Sequence, residues 1–453
     1  MNKKIYIMIT VAALVLSMVP LLRFINHDTI LPGRESYHHL DLAASIQKSG
    51  LPEEYIFNPF HHLLAYLGKA LSLSLSAIIL PSVLGMLSLI ILYALLSNLG
   101  FKEQQKNIIT ALTAISPAFI YMFTIINPHA LSMVLLLLSF YIYTRDDAFS
   151  KTSALLLMTG TAFYSPINLL VIASFLIYIN NGLRRLYSLA VAIPSIINHI
   201  LIFRSMGFLN IPEPSFNIIF ELGASIGYTT FALLLFIPGL YIVWKNKKQI
   251  KGYSLLLMMG TISFYFSDLN LFLNVIVIII ATYPIIALIK REWALETIKK
   301  ATFFILLIGL LLPAAIQIKS LADSQPSKEV ISSLEWLKDN SNKGSVIFSE
   351  TENSFWIQTV AERDTVLDSN QLYQSNLEGI KEDINTIFYS RNLEKTTQLL
   401  RQYSIDYIYI DPEMKSNIWK EPGEGLLFLF RNKETFEKIY SKNSIEIWKI
   451  TLS

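Results

Sequence analysis

Between residues 5 and 319 the chain is built from long runs of apolar residues separated by short polar interruptions, and beyond residue 320 the apolar residues fall into stripes instead. A helix that crosses a bilayer needs roughly 20 apolar residues, somewhat fewer where it ends at a polar cavity. That ruler predicts helices near 5–22, 76–97, 107–124, 129–143, 152–165, 167–180, 186–203, 223–244, 253–267, 271–289 and 301–319, about eleven spans in all. The tail reads differently. SKEVISSLEWLKDNSNKGSVIFSE has the period of an amphipathic helix, followed by a glycine-containing turn and a β-branched strand. Further on EKTTQLLRQY is helical, and IDYIYID, LLFLFRN and SIEIWKI read as strands. Strands alternating with helices predict a small α/β domain with a mostly parallel, covered sheet, to which the last hairpin adds an antiparallel edge. The polar run ADSQPS, with Pro326 and Ser327, marks a linker. The chain thus divides into a multi-span domain over 1–320, with a large first loop at 24–75, and an α/β domain over 326–453.

Composition turns this pattern into a class. Of 453 residues, 53% are apolar and only 16% charged, which with a mean hydropathy of +0.46 makes an integral membrane protein. The net charge of +3 is small and spread over loops, which excludes a nucleic-acid groove. The absence of cysteine excludes disulfides, iron–sulfur clusters and thiol chemistry. Residues 5–22 follow Lys3 and Lys4 as a signal peptide would, but no small-x-small cleavage site comes after them, so they read as an uncleaved anchor.

Charge also orients the spans. With the N-terminus cytoplasmic, Lys102, Lys106, Arg145, Lys151, Arg184, Arg185, Lys245, Lys247, Lys248, Lys251, Lys290, Arg291, Lys299 and Lys300 all fall inside. The short outer turns at 125–128, 165–166 and 268–270 carry no Lys or Arg. The loop 24–75 and the C-terminal domain then face outward, and every histidine lies at or near the outer face.

The candidate chemistry gathers there. In LPGRESYHHLDL, Ser36 is placed to cap a short helix, so that Glu35 lies by a helix N-terminus, where the dipole favours an anion. Glu35 and His39 are four apart and share a face if the helix extends back that far. A carboxylate so placed serves as a general base or a metal ligand, or is simply a solvated loop acid. His38–His39 and His61–His62 supply imidazoles for a metal, or are interfacial side chains. The turn IINPHAL offers Asn127 and His129, or is an ordinary Asn-Pro helix start. In the following outer loop, Arg204 suits a lipid phosphate or snorkels to the interface, and Glu213 and Glu221 precede a span. Asp268, with Asn270 and Asn274, is a candidate cavity wall, since an acid at that depth is costly unless it is paired or faces water.

An acid before SYHHL, a helix ending in KSGLP, NPFHHLLAYLGKAL leading into the second span, many further spans and a tail opening with LEWLKDN are found together here. This layout resembles the GT-C superfamily of polyprenyl-phosphate-dependent glycosyltransferases, nearest to archaeal oligosaccharyltransferase catalytic subunits and protein mannosyltransferases. The family's first loop reads Gly-x-Asp-Pro-Tyr-Tyr-His-Leu-Arg. The resemblance therefore puts Glu35 on the catalytic acid, Tyr37 and His39 on the aromatic and histidine positions, and Asp41 on a usual arginine.

It also implies a sugar donor on polyprenyl (dolichyl) phosphate, a protein, lipid or glycan acceptor at the outer membrane face, and surrounding membrane lipid. Glu35 and His39 are then catalytic, while Tyr37, Asn127, His129, Arg204, Glu221 and Asp268 bind substrate. A divalent cation, magnesium or manganese, would be held by Glu35, His39 and His129. The chain departs from its relatives in three places. IINPHAL lacks the Asp-x-Asp pair of oligosaccharyltransferases, no arginine stands near Asp268 for the phosphate, and ETENSFWIQTVAERDTVLD lacks their Trp-Trp-Asp-Tyr-Gly motif. These departures favour acid–base transfer of a single sugar over metal-dependent transfer of a whole oligosaccharide. They also leave a non-catalytic glycan- or lipid-binding scaffold as the rival class. A transporter fits less well, because the span interiors are nearly uncharged.

Overall fold

The computed structural model describes residues 3–27, 31–48, 57–180, 182, 186–206, 214–224, 226–244, 250–367, 377–421 and 423–451. Glu213, Arg184, Arg185, Lys245, Lys247 and Lys248, named above, lie outside the described residues.

The apolar runs fold as helices. After α1 (Lys3–His27), the first loop contains two more, α2 (Gly33–Lys48) and α3 (Pro59–Leu71). Asn58 caps α3 by accepting from the Phe60 N–H, with Pro59 at the first position, where its missing N–H costs nothing. Next come α4 (Leu73–Asn98), α5 (Glu103–Ala114) and α6 (Pro117–Thr124). Ser116 caps α6 and Pro117 cannot continue α5, so the pair bends by 58°. Then follow α7 (His129–Tyr143), α8 (Ala148–Phe163), α9 (Pro166–Ile179) and α10 (Leu186–Met206). The membrane part ends with α11 (Thr230–Trp244), α12 (Ile250–Ser263), α13 (Leu269–Lys290) and α14 (Glu296–Ala322).

Among the described residues, 5 helices are long and apolar enough to cross a membrane, or 6 if the bent α5–α6 pair is one span. Helix length and composition alone do not confirm the count of about eleven spans. At 1.5 Å per residue a helix of 14 or 15 residues reaches only about 22 Å, short of a hydrocarbon core of about 30 Å, and α7, α9 and α11 are of this kind. Nor does the eighth predicted helix begin at 223. Residues 218–228 close a small loop instead, in which the Tyr228 N–H donates to the Ile218 carbonyl and the Phe220 N–H to the Tyr228 carbonyl. α11 packs on α13 at Gly239, whose bare Cα faces the Ile280 carbonyl where a Cβ would collide.

The C-terminal domain opens with α15 (Lys328–Asn340), capped by Ser327. β1 (Val346–Phe348) leads through the turn Thr351–Asn353 into α16 (Ser354–Trp356), a π-turn Ile357–Ala361 and β2 (Asp364–Thr365). α17 (Leu377–Tyr389) and α18 (Leu393–Gln402) precede β3 (Ile405–Ile410). α19 (Pro412–Asn417) and α20 (Gly425–Leu429) precede the hairpin of β4 (Phe436–Lys442) and β5 (Ile445–Ile450). The sheet order is β2-β1-β3-β5-β4. β2, β1 and β3 run parallel to one another, and the terminal hairpin of β4 and β5 adds an antiparallel edge beside β3, the arrangement the sequence suggests. LLFLFRN is α20 and its turn, not a strand, because an apolar run this short carries no period that separates helix from strand.

Pleating sends alternate residues to opposite faces. Phe348, Ile408 and Trp448 pack under α17, α18 and α20, while Ile347, Tyr407, Tyr409 and Ile447 belong to the same apolar cluster as the membrane helices. The connection between domains is clamped by Arg23, which is fully buried on α1. Its guanidinium donates to the carbonyls of Leu321, Ala322, Ser324 and Pro326, which satisfies the end of α14 and fixes the linker.

Candidate functional site

The site is built where three turns converge, namely the start of α2, the turn 125–128 and the turn before α13. α2 begins at Gly33, about one turn earlier than a Ser36 cap would require. Ser36 is instead fully buried inside the helix, and its hydroxyl accepts from the Ile126 N–H at 3.1 Å. Glu35 is consequently in the first turn, held over the turn 125–128. Its Oε2 accepts from the Tyr121 hydroxyl at 3.1 Å and from Asn127 Nδ2 at 3.4 Å. Asn127 also accepts from the His129 N–H at 2.8 Å, so one side chain starts α7 and orients the acid.

His129 Nε2 lies 3.3 Å from Asp268 Oδ2, just before α13. Its Nδ1 is buried with no hydrogen-bond partner. Burial, then the negative charge of Asp268, pushes the Glu35 carboxyl above its ordinary range, while the Tyr121 hydrogen bond, His129 and Arg34 pull it back. A buried acid with a raised pKa, hydrogen-bonded on one oxygen, has the properties of a general base.

The remaining residues singled out by sequence are placed elsewhere. His39 turns to α3, where its Nδ1 lies 2.9 Å from His61 Nε2. Burial holds His39 well below the usual imidazole range and pushes His61 down to about 3, so the pair is neutral, with one ring donating to the other. Tyr37 is buried. Arg204 is exposed at the end of α10, with no contact to Glu35 among the described residues. Glu221 is exposed and caps α11, accepting from the Thr230 N–H at 3.0 Å and from its hydroxyl at 3.2 Å. Asn270 accepts from Tyr228 at 2.8 Å and Asn274 donates to Ser116 at 2.9 Å, so both pin α13 to its neighbours.

Metal chemistry would need ligands from this set. Among the described residues no group of three His, Asp or Glu side chains converges as a metal site. Glu35 is committed to Tyr121 and Asn127, His129 to Asp268, and His39 to His61. The arrangement does not fit the cation that the first-loop resemblance implies.

Sequence reasoning missed Tyr121, which sits in an unbroken apolar run, and, although it assigned Asp268 to the site, it did not pair it with His129. It also missed the C-terminal contacts. Arg34 Nη1 lies 2.6 Å from Glu352 Oε2, the His38 ring stacks on Phe355 with centroids 4.3 Å apart, and the Thr359 hydroxyl donates to the Tyr37 carbonyl at 3.2 Å.

No family model matches this sequence, and no curated protein matches it. Solved structures do. The chain is similar to the archaeal oligosaccharyltransferase AglB from Archaeoglobus fulgidus, in complex with an inhibitory peptide and a dolichol-phosphate, at TM-score 0.61 and 13% identity over 98% of this chain and 74% of that one. ArnT from Cupriavidus metallidurans in the apo state matches at TM-score 0.56 and 9% identity, over 97% of this chain and 97% of its own. The arabinofuranosyltransferase AftD from Mycobacteria matches at 0.53 and 14%, over 98% of this chain and 41% of its own. The fold shared with these membrane proteins is the GT-C fold.

Proposed function

We propose that this chain is a membrane glycosyltransferase that transfers a sugar from a polyprenyl (dolichyl) phosphate to an acceptor hydroxyl at the outer membrane face, with Glu35 as general base. The reading is carried by the Glu35 carboxylate, which is held against Tyr121 and Asn127 where three turns meet and where burial, and then Asp268, raise its affinity for a proton. The donor assignment draws on the shared fold, since AglB of that fold is in complex with a dolichol-phosphate. The N-terminus is cytoplasmic and the C-terminal domain external in this reading, by the basic asymmetry of the loops.

Tyr121 and Asn127 fix Oε2, which leaves Oε1 for the acceptor. As the acceptor oxygen bonds to the anomeric carbon, its proton passes to Glu35 and the carbon–oxygen bond to phosphate breaks, the electron pair leaving on phosphate. His129, whose Nε2 is held by Asp268, donates from its unpartnered Nδ1 to the developing phosphate charge when it is the imidazolium, protonated on both nitrogens. His39 acts at one remove, through His61 and the placing of α2. Arg204 and Glu221 stand outside this step.

A positioned base contributes about 100- to 10,000-fold in rate, so Glu35→Gln in the purified protein loses transfer by a factor in that range. Wild-type transfer by that variant rules out the base assignment. Failure of the native protein to transfer from any polyprenyl-linked donor replaces the enzyme reading with that of a binding scaffold.

A further inference from the structure

Residues 33–38 are gripped from two sides. The membrane domain holds Glu35 through Tyr121 and Asn127, and Ser36 through Ile126. The linker and the C-terminal domain hold their neighbours. The Gly33 N–H donates to the Gln325 carbonyl at 3.0 Å, Arg34 pairs with Glu352 at 2.6 Å, the Tyr37 carbonyl accepts from Thr359 at 3.2 Å, and His38 stacks on Phe355 at 4.3 Å. We propose that the segment Glu352–Thr359 is a positioning element for Glu35, gripping α2 on either side of the base so that the carboxylate stays against Tyr121 and Asn127. This rests on the assignment of Glu35 as the base.

On α2, Tyr37 and Ala43 are buried in the main apolar cluster and Leu40 and Ile46 pack against it, a narrow stripe that seats the helix. The first turn, which carries Glu35, has no such apolar anchor before Tyr37, and polar contacts and one ring stack hold it. They are unequal. The Arg34–Glu352 pair is 39% and 62% exposed, and a pair in that much water contributes little. Phe355 is 6% exposed, so its stack on His38 is the firmer contact.

The ring itself stands on a rigid base. Asn353, 2% exposed, donates to Asp411 Oδ2 at 2.8 Å and to Ser349 at 3.2 Å, while Asp411 Oδ1 accepts from the Met414 N–H at 2.8 Å. The turn that carries Phe355 is thereby fixed to β3 and α19. None of these residues touches the reacting atoms. Their effect reaches the chemistry through the position of one carboxylate, and misplacing a catalytic group by about 1 Å costs on the order of 100-fold.

The test is steady-state transfer by variants with wild-type elution and melting temperature. Phe355→Ala is expected to lower kcat about tenfold or more while KM for the lipid-linked donor stays within about twofold, and Phe355→Tyr, which keeps the ring, to restore kcat. The exposed Glu352→Gln should fold normally and lower kcat less. Because the chain has no cysteine, Arg34→Cys with Glu352→Cys can be joined by a short bismaleimide. The cross-linked protein is expected to turn over at least as fast as the same variant left unlinked. Loss of turnover on cross-linking, or a folded Phe355→Ala with wild-type kcat, overturns the positioning role. If Glu35→Gln is inactive in the same assay, only the positioning role has failed; if Glu35→Gln is fully active, the base assignment has failed first.

Discussion

At the scale of single residues the site turns on the proton affinity of Glu35. Its carboxyl is raised by burial first and by Asp268 second. As the proposed base, Glu35 must be ionised to act, so kcat/KM is expected to fall as pH drops through a value above the ordinary glutamate range. Asp268→Asn removes the like charge, and because that charge outweighs the opposing effect of His129, the acid limb is expected to move to lower pH, read from a pH–rate profile. The stability sign is opposite to that of a salt-bridged acid. A raised folded pKa contributes stability that is present below the unfolded pKa and lost as pH rises through the folded one. Glu35→Gln is thus no less stable than the native protein near neutral pH, which separates its loss of transfer from unfolding. That Glu35 stands at a helix start was legible in GRESYHHLD, although the helix begins at Gly33 and Ser36 does not cap it. Tyr121 was not, since a tyrosine in PAFIYMFT reads as core, and neither was the His39–His61 pair, which joins residues 22 apart through the packing of α2 on α3.

Elements were legible in so far as periodicity and end signals decide them. Among the described residues each long apolar run of the membrane part contains a helix, and Asn58, Ser116 and Ser327 cap as their residue types allow, although Ser36 does not. Where the chain uses close approach instead of pattern, sequence was silent. The break at Ser116–Pro117 is held by Asn274 reaching across from α13, and the loop before α11 is closed by Glu221 and Tyr228. The contact of α11 with α13 at Gly239 offers a direct measurement. A Cβ there meets the Ile280 carbonyl, which is backbone and cannot turn aside. Overpacking of this kind costs about 1–3 kcal/mol, so Gly239→Ala is expected to lower the melting temperature in detergent, while Gly260→Ala, where a Cβ meets open space, leaves it unchanged. Equal melting of the two variants would show that α11 does not lie against α13 in this way.

At the scale of the whole molecule, the C-terminal domain and the membrane helices share an apolar cluster through Ile347, Tyr407 and Ile447, and Arg23 fixes the linker between them. The domain is therefore held on the side of the membrane where α2 and Glu35 lie, and the orientation of one decides that of the other. The proposed orientation, with both outside, rests on the basic asymmetry of the sequence, in which the turns 125–128, 165–166 and 268–270 carry no Lys or Arg. A chain without cysteine allows the orientation to be read one position at a time. Lys343 and Lys102 are both exposed, the first in the turn after α15 and the second in the loop between α4 and α5. In intact cells a membrane-impermeant maleimide is expected to label Lys343→Cys and to leave Lys102→Cys unlabelled until the membrane is opened. The reverse pattern would put Glu35 and the C-terminal domain in the cytoplasm, where the acceptor and the lipid-linked donor would have to be cytoplasmic too, and would overturn the outer-face reaction with a single measurement.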